Sequence, residues 1–330
     1  MSLPTRIRKL IGETGCDVLI PRWEWPSPNF SYFAGFDVDH VALYVSRAGD
    51  ATLFTSKMNE AQCARLCGRW ADIRVFEKFS EIREVVGRAK CLLDAAYIPY
   101  AVYRRLHTRR MRPAGRELLA IREVKDAGEL ALMRSARDAA VSLIGDVHIN
   151  GKTEREVAQS LKLHAVMKGM EPSFGTIVAS GRNARFPHHT PGRTRLHSYA
   201  LIDFGVKKNG YCSDITRCVG RLGRLEARYE ALQHALYEIA DAAYAGRRIS
   251  DFAAEVDKKI LPRNGIPPML HGIGHGIGLE VHELPWISAK AKGELNENSV
   301  IAIEPAEYTK GYGLRYEDMF VVGKKRAKRI

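Results

Sequence analysis

Asp203, Asp214, His275, Glu304 and Glu317 are five residues in the last 130 positions of the chain whose types suit a common chemistry. Each interrupts an apolar or glycine-rich segment: ALIDFG, YCSDITR, HGIGHGIG, VIAIEPAEY and LRYEDMFVV. Four carboxylates gathered without cations would repel one another, and desolvation would raise their pKa values further. Two divalent cations supply the four positive charges that balance them. Carboxylate-rich sites suit a hard ion such as Mn²⁺, and one imidazole admits Co²⁺, Fe²⁺ or Zn²⁺. The set reads as a dinuclear metal centre.

The elements that must position these residues follow from local pattern. The Lys207-Lys208-Asn209-Gly210 stretch between the two aspartates suits a hairpin that folds them toward each other. The alternation of HGIGHGIG predicts a strand with His271 and His275 on one face, and its glycine density argues against a helix. Arg315, two residues before Glu317, can pair with a ligand carboxylate, while Asp318 falls on the opposite face. Upstream, helices are expected over 125–147 and 153–168, the second opened by Thr153 with Glu156 three residues on. Strands over 175–180, 198–204 and 211–219, helices over 224–245 and 249–260, and strands from 270 onward complete an approximate duplication of helix pair plus strands.

The first third has its own α/β pattern. CDVLI, SYFAGF, HVALYVS, ATLFT, IRVFE and CLLDAAYI read as strands, and 4–13, 59–70, 79–89 and 99–106 as helices. The basic stretch RRMRPAGRE marks a boundary, giving domains over 1–117 and 118–330. The fold class is α/β (α+β), and 330 residues suffice for two cores.

Composition narrows the setting. A chain with 45% hydrophobic and 27% charged residues is that of an ordinary globular protein. No apolar run approaches the roughly 18 residues of a membrane helix, and charges interrupt the N-terminal apolar runs, so a cytoplasmic location is expected. The six cysteines form no CxxC pair. Cys63 and Cys67, one helical turn apart, read as small buried hydrophobes, with a disulfide as the alternative. The net charge of +13 is carried by both halves. The basic runs Arg104–Arg116 and Lys324–Arg329 lack adjacent stacking aromatics, so they read as solvated surface and not as a nucleic-acid site.

Taken in order, LIDFGVKKNGYCSDITR, HGIGHGIGLEVHELP, VIAIEPAEY and LRYEDMFVV resemble the consecutive signatures of the creatinase/aminopeptidase P/prolidase metallopeptidases. The resemblance covers 120–323, and the N-terminal third more loosely resembles the smaller domain of the proline-specific members. It implies a pita-bread catalytic fold that binds two divalent ions per subunit, Mn or Co first, with Zn or Fe also possible. By that likeness Asp203 binds one ion, His275 and Glu304 the other, and Asp214 and Glu317 bridge them around a hydroxide nucleophile. Glu304 would also shuttle a proton, His188 and His282 would act on the substrate side, and His271 would help bind substrate. The implied reaction is hydrolysis of an N-terminal Xaa-Pro bond, in a homodimer. His189, His197 and His234 receive no role. The chain departs from the family at Ala306, at Tyr316 and at Trp286, where archaeal prolidases carry an arginine that grips a dipeptide carboxylate. Dipeptidase and aminopeptidase readings therefore both stand. So do a metal-dependent aminopeptidase without a proline requirement and, from a different class, a non-catalytic pita-bread binding module.

Overall fold

The computed structural model describes residues 3–87 and 90–330. It divides into two compact units, 1–122 and 123–330.

In the first unit, strands β1 (Asp17–Arg22), β2 (Val41–Val45), β3 (Ala51–Thr55), β4 (Asp72–Val75), β5 (Cys91–Leu93) and β6 (Met111–Pro113) form a mixed sheet in the order β4-β3-β2-β1-β5-β6. Helices α1 (Leu3–Thr14), α2 (Pro28–Ala34), α3 (Glu60–Cys67), α4 (Phe79–Val86), α5 (Tyr100–Leu106) and α6 (Gly115–Glu123) complete it. Every residue of β1 is buried, as a central strand covered on both faces requires. The helix expected over 79–89 ends at Val86, and its positions 88 and 89 lie outside the described residues. Cys63 and Cys67 are buried free thiols on α3.

Two expectations for this unit change. SYFAGF reads as a short apolar strand, but its first four residues lie in helix α2. Ser27 Oγ caps the Phe30 N–H at 3.0 Å, Pro28 sits in the first turn, and Gly35 closes the helix in the left-handed conformation. Those end signals outweigh a short apolar run. The boundary expected between 117 and 118 falls inside α6. Lys9 Nζ bonds the Ile121 carbonyl at 3.0 Å, and the buried Arg122 Nη1 donates to Asn29 Oδ1 at 2.7 Å, tying the helix to the first unit through Arg122.

The second unit has the duplicated plan. The first helix pair is α7 (Ala127–Gly145) and α8 (Glu154–Met167). Both open with capping boxes, Asp126 with Glu129 and Thr153 with Glu156. Strands β7 (Glu171–Pro172), β8 (Ile177–Ala179), β9 (Tyr199–Phe204), β10 (Val206–Lys208), β11 (Tyr211–Cys212) and β12 (Ile215–Gly220) follow. The second pair is α9 (Glu226–Ala242) and α10 (Ile249–Glu255). It precedes β13 (Gly274–Gly276), β14 (Glu283–Trp286), β15 (Val300–Ile303), β16 (Ala306–Tyr308), β17 (Gly313–Arg315), β18 (Asp318–Val322) and β19 (Ala327–Arg329). Strands β14-β13-β15-β18-β19 and β12-β9-β8 form the main sheets. Val300 and Met319 join the core of the first helix pair, whereas Ile301, Ile303, Phe320 and Val322 join that of the second. This two-sided burial explains why VIAI and MFVV are continuously apolar rather than alternating with polar residues.

Candidate metal centre

Asp203 lies on β9, and its cross-strand partner on β12 is Thr216. The hairpin between the two aspartates turns at Asn209 and Gly210, whose φ angles of 49° and 85° suit the mirror-image turns of hairpins. Register counts outward from that turn: Lys208 faces Tyr211, Lys207 faces Cys212, Phe204 faces Ile215 and Asp203 faces Thr216. At Gly205 the strands approach so closely that a Cβ would lie 1.8 Å from the Ser213 carbonyl oxygen. The missing side chain lets Asp214 enter the same cleft as Asp203.

His275 is held between β15 and β14, opposite Ala302 and Trp286. The strand expected over HGIGHGIG is shorter than its alternation suggests. Only Gly274–Gly276 pairs, with a register shift at His275/Gly276, and His271 lies ahead of the strand. Glycines supply no side chains to pack, and a bulge re-aims the residue beside it. His275 Nδ1 donates to the Gly276 carbonyl at 3.1 Å, which leaves Nε2 at 3.6 Å from Asp214 Oδ2.

Asp214, His275 and Glu317 each bring a ligand atom within 4.8 Å of the other two, and all three are buried. Asp203 and Glu304 line the same cleft of ≈ 530 Å³, together with His188, His271, His282, Trp286 and Arg315. Burial pushes the Asp214 carboxyl well above the ordinary range, with the charges of Asp203 and Glu304 adding to it. Burial, then Asp214 and Glu304, does the same to Glu317. Arg315 opposes both shifts. Its Nη2 donates to Asp203 Oδ2 at 2.5 Å, Nε to Thr216 Oγ1 at 2.9 Å, and Nη1 to Tyr308 Oη at 2.8 Å. Burial lowers the Arg315 pKa, but Asp203, Tyr308, Glu317 and Glu304 outweigh it and hold the guanidinium charged.

These residues fit a divalent metal site, with Asp214, His275 and Glu317 as its clustered donors. Asp203 Oδ1 and Asp214 Oδ1 are buried and accept no hydrogen bond, an arrangement that costs free energy unless something positive takes the lone pairs. The donor set is carboxylate oxygen with one imidazole nitrogen.

The remaining histidines differ in exposure and engagement. His188 is exposed on the loop after β8 and lines the cleft. The His282 ring lies 4.3 Å from that of His275, centroid to centroid. Burial, then the proximity of His275 and His188, lowers its pKa against an opposing pull from Asp203 and favours a neutral ring. His271, expected to bind substrate, has both ring nitrogens engaged within the chain. Nε2 accepts from Tyr308 Oη at 3.1 Å, and Nδ1 lies 2.8 Å from the Gly272 carbonyl and 3.5 Å from Glu304 Oε2. In this arrangement the Nδ1–H goes to the Gly272 carbonyl and the Nε2 lone pair to Tyr308, while the residue lines the cleft.

Two contributors escaped the sequence reading. Thr216 Oγ1 donates to Glu317 Oε2 at 2.6 Å, and Tyr308 links Arg315 to His271. Thr216 could have been found by counting from the Asn209-Gly210 turn, which places it opposite Asp203. Tyr308 carried no such signal. Asp318 faces away from the cleft as expected, accepts from Arg137 and Arg217 and forms an ion pair with Arg329.

The profile of metallopeptidase family M24 matches residues 122–324, and that of the creatinase/prolidase N-terminal domain matches 5–124. The chain belongs to metallopeptidase family M24 and has its pita-bread fold. It is 29% identical over 317 residues to the Xaa-Pro dipeptidase of Pyrococcus furiosus, covering 92% of this chain and 90% of that one. Among solved structures, a dipeptidase from Pyrococcus horikoshii superposes with a TM-score of 0.85 at 26% identity, covering 98% of this chain and 97% of that one. An X-Pro aminopeptidase from Thermotoga maritima gives a TM-score of 0.85 at 25% identity over the same shares. Among the described residues no helix is long and apolar enough to cross a membrane.

Proposed function

We propose that this chain hydrolyses the N-terminal Xaa-Pro bond of short peptides, using two divalent ions held by Asp203, Asp214, His275, Glu304 and Glu317. The observation that carries the reading is the buried cluster of Asp214, His275 and Glu317 beside aspartate oxygens that accept no hydrogen bond. The ions, Mn²⁺ or Co²⁺ before Zn²⁺ or Fe²⁺, would acidify an attacking water and polarise the scissile carbonyl. Glu304 takes the proton from that water and delivers it to the departing proline nitrogen as the C–N bond breaks. His282, favoured as a neutral ring, donates N–H to the peptide, and His188 steadies the oxygen that gains charge on attack. Arg315 holds Asp203 in place through Oδ2, leaving Oδ1 for the cation.

Among the described residues lining the cleft, Arg315 is the one guanidinium or ammonium, and all its nitrogens are engaged. No other cation of the lining is placed to grip a dipeptide carboxylate. Trp286, 49% exposed, offers an apolar wall instead. This favours peptides longer than two residues, and the reading includes a homodimer working in the cytoplasm. Buried free thiols at Cys63, Cys67, Cys91 and Cys212 suit a reducing compartment.

Hydrolysis of Met-Pro, Met-Pro-Ala and Met-Ala-Ala by Mn²⁺- and Co²⁺-loaded protein tests the reading. Cleavage of Met-Pro-Ala at the proline bond is expected, with Met-Ala-Ala resistant. A protein that binds neither ion would refute it, and light scattering checks the dimer.

A further inference from the structure

The cleft histidine His188 sits on a long connection between β8 and β9 whose described residues form no named strand. Its regular structure is a short 3₁₀ turn over Gly181–Arg185. Such a segment needs an anchor if His188 is to occupy one position. Glu154, the first residue of α8 and fully buried, supplies it. Oε1 accepts from the Ser180 N–H at 3.2 Å and from Asn183 Nδ2 at 2.9 Å. Oε2 accepts from His189 Nε2 at 2.8 Å and from the Gly192 N–H at 3.0 Å. The N-terminus of α8 favours the carboxylate charge. The backbone is sewn to the same helix end, with Glu154 N–H on the Thr194 carbonyl and Arg155 N–H on that of Gly192, both at 3.0 Å.

The other side of the connection is equally constrained. A Cβ at Gly313 would lie 1.8 Å from the Ala184 carbonyl oxygen, so β17 presses its bare backbone onto the 3₁₀ turn. Strand β17 ends at Arg315, two residues before Glu317. The segment is therefore clamped between α8 and the strand that leads to the candidate ligands. His189 turns to Glu154 while its neighbour His188 lines the cleft.

We propose that Glu154 is a positioning residue that fixes His188 over the metal centre through His189 and the loop backbone. The inference rests on the peptidase reading for the role of His188, but not for the anchor itself. Glu154→Gln keeps the shape and places an amide N–H₂ where one carboxylate oxygen accepted, opposing N–H donors. A displacement of about 1 Å at His188 can cost up to about 10²-fold in turnover. With Met-Pro-Ala as substrate, E154Q is expected to lose kcat on that scale while its metal content stays at the wild-type level. Glu154→Asp, which retains the charge, should recover part of the loss.

A merely structural Glu154 would lower thermal stability without coupling to His188. The discriminating readout is the double variant E154Q/H188A. It should be no slower than H188A alone, because a misplaced histidine and an absent one remove the same contribution. Multiplicative losses would overturn the proposal. Hydrogen exchange should also rise across 180–192 in E154Q, and unchanged exchange there would equally overturn it. If the wild-type protein cleaves no peptide, the peptidase reading fails, while the exchange experiment still decides whether Glu154 anchors the loop.

Discussion

Thr216 Oγ1 donates a 2.6 Å hydrogen bond to Glu317 Oε2, joining residues 101 positions apart. The same hydroxyl accepts from Arg315 Nε at 2.9 Å, so it couples the guanidinium that grips Asp203 to the carboxylate of Glu317. Thr216 thus aims two candidate ligands at once without being one. Thr216→Val preserves shape and removes both bonds. Outer partners of ligands typically set about 10–100-fold of metal affinity, and Mn²⁺ titration of T216V should show a loss in that range. Undiminished affinity would mean that Glu317 is held by packing alone.

The raised pKa values of Asp214 and Glu317 fix the sign of a pH effect in the metal-stripped protein. Its native state keeps protons that the unfolded chain releases near pH 4, the ordinary carboxylate range. Above that pH the native form binds more protons than the unfolded one, so stability falls as pH rises. Chelated protein should therefore melt lower at pH 7 than at pH 5, before other groups common to all variants are considered. Asp214→Asn removes one of the repelling charges and should flatten that slope, while abolishing turnover and reducing bound metal. An unchanged slope in D214N would refute an origin in these two carboxyls.

Asp318, fully buried, gathers Arg137 from α7, Arg217 from β12 and Arg329 from β19. Burial alone would raise its pKa, yet the hydrogen bond from Arg137 and the charges of Arg217, Arg137 and Arg329 hold it below the usual range. Removing one partner from a buried ionic cluster strands the others, at a cost of about 3–5 kcal/mol. Urea unfolding of Asp318→Asn should show a loss of that order. Metal loss without destabilisation would instead place Asp318 in the service of the adjacent Glu317.

The difference between Thr216 and Asp318 marks how far the sequence was legible. Ligand candidates stood out because charge inside an apolar run is costly, and the Asn209-Gly210 turn fixed a countable register. The same rules failed at SYFAGF, where a short aromatic, apolar run was weaker evidence than a serine cap, a proline and a closing glycine. Counting could not reach Asp318 and Arg137, because their contact spans 181 positions and depends on how β18 packs against α7. Likewise, HGIGHGIG alternates, but pairing and not pattern decides that only three of its residues form a strand. Local chemistry was readable wherever a local turn or cap enforced it.

Trp286 offers the sharpest test of substrate length. It lies on β14 directly across from His275, half exposed, so a new side chain there can reach into the cleft without disturbing a core. Trp286→Arg would add a free cation where the lining has none. A charge-assisted hydrogen bond to a substrate carboxylate contributes about 1.5–3 kcal/mol, which corresponds to roughly 10–100-fold in kcat/KM. The variant should gain that factor for Met-Pro relative to Met-Pro-Ala, because only the dipeptide places its carboxylate beside the proline ring. The ratio of the two kcat/KM values, measured at equal metal loading, isolates this gain from any general loss of activity. An unchanged ratio would show that position 286 does not meet the proline end of the substrate, and that the preference for longer peptides has another source.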